Sequence, residues 1–140
     1  MNLNDDKPVL YLTASDIYNI NDTITEGHTF VRDVHLLNSA VQRPKLVLFG
    51  EAQFPTLVDK AASLLHSLAY HHLFADANKR TAMYALIMFL EKNGYQLEWD
   101  EAGQYLFILE IAQGKHDIPA IASWLAPLIR PRTSTDQPPM

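Results

Sequence analysis

The strongest constraint on the fold is a stretch of chain in which apolar side chains recur at the spacing of one helical face. These side chains are Leu57, Val58, Ala61, Ala62, Leu64, Leu65, Leu68 and Ala69. Apolar residues that return every three or four positions form a stripe along one side of an α-helix. A second pattern, Arg80–Asn93, is apolar on nearly all sides and is followed by Gly94, so it predicts a buried central helix. The core is therefore expected to consist of packed helices.

Capping residues predict four further helices. Thr13, with Asp16 three positions later, is typical of a capping box, and Asp33, Asp100 and Asp117 are typical N-caps. The first of these helices is predicted to run to about Asn21, and the second to pass through Val34, Leu37, Ala40 and Val41 as far as Pro44. The third is predicted to run to about Gln113, before Gly114. The fourth has Pro119 in its first turn and is predicted to continue through Trp124, Leu125, Leu128 and Ile129.

Two shorter segments do not fit a helix. Tyr95–Trp99 alternates apolar and polar residues, which indicates a short extended piece. Lys45–Pro55 fits neither the helical nor the extended period and is expected to be a loop or an irregular hairpin. About six helices with so little strand predict an all-α fold, a small single-domain helical bundle with a short irregular flap or hairpin.

The chain of 140 residues has the size of one domain. We expect this domain to span residues 9–129, between disordered tails at residues 1–8 and 130–140 that are polar or rich in proline, serine and threonine. The absence of cysteine excludes disulfides, thiolate nucleophiles and cysteine-bound zinc. A net charge of −5 argues against direct nucleic-acid binding, and the longest nearly apolar run, Ala82–Leu90, is too short to span a bilayer. The expected class is a soluble cytoplasmic domain.

Residues that can carry chemistry concentrate in one segment between the two strongest helix patterns, His72-Leu-Phe-Ala-Asp-Ala-Asn-Lys-Arg80. Lys79 and Arg80 stand where a helix begins, although the partial positive charge of a helix N-terminus disfavours cations. The arrangement is reasonable if a phosphate is shared by the helix amides and the two cations. Asp76 can give an oxygen ligand to Mg²⁺, and His72 can accept a proton from an attacking hydroxyl. Together these residues indicate phosphoryl or nucleotidyl transfer.

Each of these residues has a simpler interpretation when it is taken alone. A single histidine near a helix end is more often solvated or hydrogen-bonded than a base. An Asp-x-Asn sequence is usually a turn, and a Lys-Arg pair is usually a solvated helix face. Phe74 is expected in the core under either interpretation, where it would anchor the loop. The convergence of all of them on one compact loop favours an anion site.

The same segment resembles the signature of the Fic/Doc superfamily, H-x-F-x-[DE]-[GA]-N-[GK]-R. The likeness is closest to the Doc ("death on curing") toxin branch of type II toxin–antitoxin systems and covers roughly Tyr11–Leu128. Asp33–Pro44, Phe54–Leu65 and Phe89–Tyr95 also read like the core of that branch. The resemblance implies the small all-α Fic fold.

The resemblance also implies a role for each residue of the signature. His72 matches the catalytic base, and Asp76 matches the Mg²⁺ ligand. Phe74 matches the buried anchor of the loop. The residues that match the nucleotide-phosphate contacts are Asn78, Lys79 and Arg80. The implied cofactor is Mg²⁺, with ATP as a substrate.

Two departures distinguish the segment from AMP-transferring Fic enzymes, whose motif usually reads G-N-G-R-x-x-R. Lys79 replaces the second glycine, where a side chain would obstruct the anion pocket, and Met83 stands in place of the last arginine. The Doc branch shares the lysine, and Ala77 in place of the first glycine is also Doc-like. In that branch the nucleotide is thought to bind in the opposite direction, so that the γ-phosphate meets the target hydroxyl.

The resemblance therefore implies a toxin that is a protein Ser/Thr kinase and arrests translation. Elongation factor Tu is the expected substrate, and a Phd-like antitoxin is the expected partner. An AMP or other NMP transferase with the same site is one alternative, and a catalytically idle antitoxin-binding module is another. By the same resemblance, Lys45–Pro55 would be a flap that docks the target. Asp22–Gly27 comes close to the inhibitory motif [ST]-x-x-x-E-[GN] of some Fic enzymes, but we interpret it as a helix end followed by a glycine turn.

Overall fold

The computed structural model describes residues 7–132. Within them lie six α-helices: α1 (Ala14–Ile24), α2 (Val34–Gln42), α3 (Leu57–Tyr70), α4 (Asn78–Lys92), α5 (Glu101–Ala112) and α6 (Ile118–Leu125). Short strands form two antiparallel pairs, β1 (Val47–Leu48) with β2 (Glu51–Ala52) and β3 (Tyr95–Leu97) with β4 (Ile129–Pro131). The predicted fold class, a six-helix bundle with a short hairpin, is confirmed. No helix in this part of the chain has both the length and the apolar composition needed to cross a bilayer.

Helix α3 occupies the centre of the core. All eight residues of its predicted apolar stripe are buried, and the helix packs against α2, α4, α5 and α6. Even its polar residues Lys60, Ser63 and Ser67 are buried. The helix with the strongest apolar stripe in the sequence is thus the element around which the other helices are arranged.

Helix α4 is less enclosed than the sequence predicts. Its buried residues are Thr81, Ala82, Ala85, Leu86, Phe89 and Leu90. Tyr84 and Met88, one turn apart on another side, are 48% and 38% exposed. The prediction of a buried central helix is confirmed for the side that packs against α1 and α3 and wrong for the side of Tyr84 and Met88, because large apolar side chains also cover part of a protein's surface. The helix begins at Asn78 rather than at Arg80.

Side chains cap five of the six α-helices found between residues 7 and 132. Their N-cap residues, each accepting a hydrogen bond from a first-turn amide, are Thr13, Asp33, Thr56, Asp100 and Asp117. The sequence predicts four of these caps and leaves out Thr56. Helix α4 is the exception, since its N-cap residue Ala77 has no side-chain acceptor.

Helix α1 continues to Ile24, slightly beyond its predicted end near Asn21, and a left-handed turn follows. Glu26 and Gly27 have φ angles of 55° and 84°. The Gly27 N–H donates to the Asp22 carbonyl oxygen at 2.8 Å, which closes the helix end. The interpretation of this segment as a helix end with a glycine turn is confirmed.

Lys45–Pro55 contains the hairpin of β1 and β2, which is one of the two forms that the sequence predicts. Its two-residue turn, Phe49-Gly50, has φ angles of 53° and 78°, as hairpin turns with two left-handed residues require. The buried Lys60 ammonium holds the base of the hairpin by donating to the carbonyl oxygens of Pro44 and Phe54, at 3.2 and 2.6 Å. Burial lowers the pKa of Lys60.

Strand β4 extends past the predicted end of the domain at residue 129. It continues through Pro131, which pairs with Tyr95 of β3. The proline-rich composition of this segment conceals the strand, because proline removes a ladder donor and is tolerated only at strand ends and edges. Of the two predicted tails, residues 7–8 and 130–132 lie within the described part of the chain, and residues 1–6 and 133–140 lie outside it.

Candidate active site

The loop between α3 and α4, residues 71–77, is tied to the segment that precedes α2. Phe74 forms an isolated antiparallel bridge with Val31. The Ala75 N–H donates to the Phe30 carbonyl oxygen at 3.0 Å. The Phe74 side chain is fully buried, at 0% exposure. The structure therefore places this ring in the core, as predicted, and the segment before α2 holds the loop backbone at Phe74 and Ala75.

Asn78 fixes the loop from its C-terminal side. Its Oδ1 accepts from the Phe74 N–H at 3.0 Å, and its Nδ2 donates to the Phe74 carbonyl oxygen at 2.9 Å. Both ends of the amide are thus used within the loop. For the predicted phosphate contact, Asn78 retains its main-chain N–H at the first position of α4 and the second hydrogen of its Nδ2.

Asn21 supports the loop from α1 and was not among the site residues predicted from sequence. Its Nδ2 donates to the Asp76 carbonyl oxygen at 2.9 Å and to the Thr81 hydroxyl at 3.1 Å. Its side chain is buried, with the inner apolar residues Ile17 and Ile20 beside it on α1. A polar residue that interrupts a buried apolar face needs a specific hydrogen bond, so this interruption was an available signal.

Ala77 adopts a left-handed conformation where the loop enters α4, with φ 63° and ψ 27°. Residues with a Cβ rarely occupy this region, because the Cβ crowds the following carbonyl oxygen. The conformation turns the chain sharply into the helix. Because the N-cap residue is an alanine, no side-chain acceptor caps the first-turn amides. The start of α4 is therefore strained, open and electropositive.

Replacing Ala77 by glycine is expected to raise the free energy of unfolding by about 0.5–1 kcal/mol, because glycine adopts positive φ without strain. Urea denaturation of the purified protein measures the change. Ala75 in the same loop has no positive φ, so Ala75→Gly is the matched control. We expect that substitution to lower stability by about 0.5–1 kcal/mol through added chain entropy. Stabilisation by both glycines, or by neither, would contradict the assignment of strain to Ala77.

The groups predicted to carry chemistry lie on the outer side of the loop and helix start. His72, Asp76, Lys79 and Arg80 are all exposed. Asp76 Oδ1 accepts from the Ala77 N–H at 2.7 Å. Within residues 7–132, no hydrogen bond or ion pair engages the side chains of His72, Lys79 or Arg80, so these side chains remain available for a ligand. The loop thus presents an imidazole, a carboxylate and two cations beside an uncapped helix N-terminus.

The donor set fits a magnesium ion that is bound together with substrate phosphates. Among the described residues, no group of three or more His, Asp or Glu side chains could hold a metal by itself. Mg²⁺ commonly takes one or two protein carboxylates and completes its octahedron with water and phosphate oxygens. Asp76 supplies one such carboxylate, with Oδ2 unused by the hydrogen bond that Oδ1 accepts. Asp76 is therefore the residue that would hold the ion.

A cavity of about 480 Å³ lies between the first turns of α4 and helix α5. Its lining residues are Lys79, Arg80, Met83, Gln104, Tyr105 and Ile108. The two loop cations thus open onto a space large enough for a small organic ligand. The contribution of α5 was not predicted, because no feature of its sequence separates a cavity-lining face from an ordinary helix face.

Comparison with known proteins agrees with this geometry. The Fic/DOC family model matches residues 11–90, a range that includes α1, the loop and most of α4. The chain is also 40% identical over 118 residues to Toxin Doc from Mycolicibacterium smegmatis. That alignment covers 83% of this chain and 91% of the relative. The chain therefore belongs to the Fic/DOC family.

Proposed function

We propose that this protein is a Doc-like toxin that transfers the γ-phosphate of ATP to a serine or threonine hydroxyl of a cytoplasmic translation factor, elongation factor Tu. The supporting observation is the uncapped start of α4, where two cations without a partner among the described residues stand beside an exposed histidine and an exposed carboxylate. This combination suits a phosphate chain and an attacking hydroxyl at one place. The name of the 40% identical relative, Toxin Doc, supports the toxin role.

In the proposed reaction, His72 accepts the proton of the substrate hydroxyl as its oxygen attacks the γ-phosphorus. A new oxygen–phosphorus bond forms, the bond from the γ-phosphorus to the bridging oxygen breaks, and ADP leaves. Lys79 and Arg80 neutralise negative charge on the transferring group and the departing diphosphate. The open N–H groups of α4 add fixed partial positive charge. Mg²⁺ held by Asp76 would supply further charge neutralisation when it is bound.

Two asparagine side chains hold the backbone that carries the reactive groups. Asn78 bonds to the loop backbone at Phe74 and Asn21 bonds to it at Asp76, so the positions of the reactive groups are fixed before the substrate binds. Preorganised charge needs no rearrangement during the reaction and is therefore more effective than mobile charge. Lys79 occupies the place of a glycine in AMP-transferring relatives, and its bulk disfavours a phosphate lying against that backbone position. This supports γ-phosphate transfer over transfer of AMP.

Differential labelling tests the proposal. Purified full-length protein, Mg²⁺ and purified elongation factor Tu, or a bacterial translation extract, receive ATP labelled at either the α- or the γ-phosphate. We expect protein-bound label from γ-labelled ATP alone, and mass spectrometry then locates the modified hydroxyl. Asp76→Asn serves as a variant that keeps the side-chain shape while removing the metal-binding charge, and it is expected to lose label. Label from the α-phosphate would instead establish nucleotidyl transfer, and label from neither would exclude both enzymatic functions under these conditions.

We further propose an antitoxin of the Phd type as partner, and a groove between α1 and α4 as its docking surface. The groove has a volume of about 750 Å³, and its lining residues are Asp16, Asn19, Ile20, Thr23, Ile24, Tyr84, Ile87, Met88 and Glu91. An open apolar surface between two helices suits an amphipathic segment that folds as it binds. Asp16, which also caps α1, and Glu91, which also lies 3.9 Å from Arg132, add negative charge to the lining and favour a segment with basic residues at its edges. Helix α1 also carries Asn21, so a partner bound here lies on the helix that supports the loop.

Replacing the exposed Met88 by glutamate is expected to prevent protection by the antitoxin without abolishing toxicity. The new charge would lie in the groove but outside the loop that carries the chemistry. A Phd-type antitoxin, co-expressed with an affinity tag, is the probe, and co-purification and growth rescue are the measurements. Val34→Glu places the same charge on an exposed apolar residue that does not line the groove. Equal protection of both variants would contradict the groove assignment.

A further inference from the structure

We propose that a cavity between α3, the start of α6 and the segment that follows β2 binds a small zwitterion, of the chemical class of an α-amino acid with an apolar side chain. The cavity has a volume of about 490 Å³, which falls within the range of small-molecule sites. It shares no lining residue with the cavity beside the loop cations or with the groove between α1 and α4. The inference therefore does not depend on the proposed function.

Charged groups of both signs line this cavity without pairing with one another. Arg43 directly follows α2, Asp59 lies in the first turn of α3, and Asp117 caps α6. Among the described residues, no ion pair joins the Arg43 guanidinium to either carboxylate. The fold thus brings one cation and two anions to the wall of one cavity and leaves a space between them.

Each of these three side chains keeps polar atoms that no other described residue uses. Arg43 Nη1 donates to the Ser67 hydroxyl at 3.3 Å, and the remaining N–H groups of the guanidinium make no hydrogen bond within residues 7–132. Asp59 Oδ2 and Asp117 Oδ1 each accept from a main-chain N–H at a helix start, at 3.4 and 2.9 Å. The second oxygen of each carboxylate is left over. The cavity therefore offers guanidinium donors and carboxylate acceptors to a ligand.

His66 also lines the cavity but adds no charge to it near neutral pH. Burial lowers the pKa of its imidazole, and the charges of Arg43 and His71 lower it further, against the opposing effect of Asp117. The Nδ1 atom of His66 is buried and has no hydrogen-bond partner in the described part of the chain. A buried polar atom without a partner calls for a specific explanation, and a ligand in the adjoining cavity supplies one.

Opposite charges that are held apart across one cavity match a ligand that carries both. A guanidinium can donate two parallel hydrogen bonds to a carboxylate, and an ammonium donates three hydrogen bonds to acceptors such as carboxylate oxygens. A ligand with positive charge alone would face Arg43, and a ligand with negative charge alone would face the two aspartates. The apolar part of the lining is formed by Phe54, Ile118 and Pro119. An α-amino acid with an apolar side chain is complementary to all three features.

Calorimetric titration of the full chain tests the inference with L-leucine and L-phenylalanine. Each amino acid is compared with its N-acetyl derivative, which lacks the ammonium, and with its amide, which lacks the carboxylate. We expect the better amino acid to bind at least about tenfold more tightly than either of its derivatives, because a hydrogen bond to a charged group is commonly worth that factor or more. Absence of binding by both amino acids, or equally tight binding of an amide or an N-acetyl derivative, would overturn the inference.

Asp117→Asn tests whether the ligand lies in this cavity. Asparagine caps a helix about as well as aspartate does, so the variant should keep α6 and the thermal midpoint while it loses the charge. Affinity for the amino acid should fall by about tenfold or more. Asp100→Asn makes the same change at the cap of α5, outside the cavity, and should keep the full affinity. Equal affinities of these two variants would place the ligand elsewhere and contradict the assignment.

Arg43→Met tests the opposite side of the cavity. Methionine retains much of the side-chain length but removes every donor to a carboxylate, so this variant should bind the amino acid no more tightly than the wild type binds the amide. Arg32→Met removes the same group from an exposed residue that does not line the cavity, and it should bind as the wild type does. Wild-type affinity in Arg43→Met would overturn the zwitterion site.

Discussion

Replacing His72 by alanine is expected to abolish toxicity and to reduce phosphate transfer by about 10²–10⁴-fold, the usual contribution of a positioned general base. The side chain is exposed and makes no hydrogen bond or ion pair among residues 7–132, so its removal leaves no cavity in the core. The thermal midpoint should therefore stay close to that of the wild type. Incorporation of γ-phosphate into elongation factor Tu, measured as an initial rate, gives the size of the effect.

His35 provides a matched control for this experiment. It lies on α2, is exposed, and also makes no hydrogen bond or ion pair within the described part of the chain. His35→Ala thus removes the same chemical group from a surface that we assign no chemistry, and transfer should stay at the wild-type rate. Toxicity that persisted in His72→Ala would exclude both the kinase and the nucleotidyl transferase, and it would leave the interaction module as the function.

The helices of this protein can be predicted from sequence because their signals are local. The stripe on α3 and the caps Thr13, Asp33 and Asp117 each lie within a few residues of the element that they define. The exposure of Met88 is a different kind of property. It depends on which neighbour covers that side of α4, and no pattern within the helix encodes this.

The residues of the candidate site also fall into two groups, those that local sequence predicts and those that depend on tertiary contacts. The exposed groups from His72 to Arg80 lie in one short run of sequence, so their composition alone indicates anion chemistry. Their supports are tertiary contacts. Asn21 reaches Asp76 from 55 positions away along the chain. Sequence spacing can predict which side chains a loop presents, but it does not predict which distant side chains hold that loop in place.

Replacing Phe74 by alanine is expected to lower the free energy of unfolding by about 3–5 kcal/mol, the usual cost of truncating a fully buried phenylalanine. The ring is 0% exposed, and its backbone is the point at which the Val31 bridge and the Asn78 amide meet. The cavity left behind would lie directly beneath the loop. We therefore expect loss of stability and loss of transfer together, in contrast to His72→Ala, which should affect transfer alone.

Two controls separate packing of the ring from a general effect of losing an aromatic side chain. Phe74→Leu retains most of the buried volume and should cost roughly 1.5 kcal/mol or less, with the loop still supported. Phe30→Ala removes a ring that is 65% exposed, while its backbone carbonyl still accepts from Ala75, and it should change stability by no more than about 0.5 kcal/mol. Urea denaturation of all three variants, with transfer assayed in parallel, gives the comparison. If Phe74→Ala and Phe30→Ala destabilised the protein equally, the stability of the loop would not depend on the buried ring, and the loop would be held by the hydrogen bonds to its backbone, including those from Asn78 and Asn21.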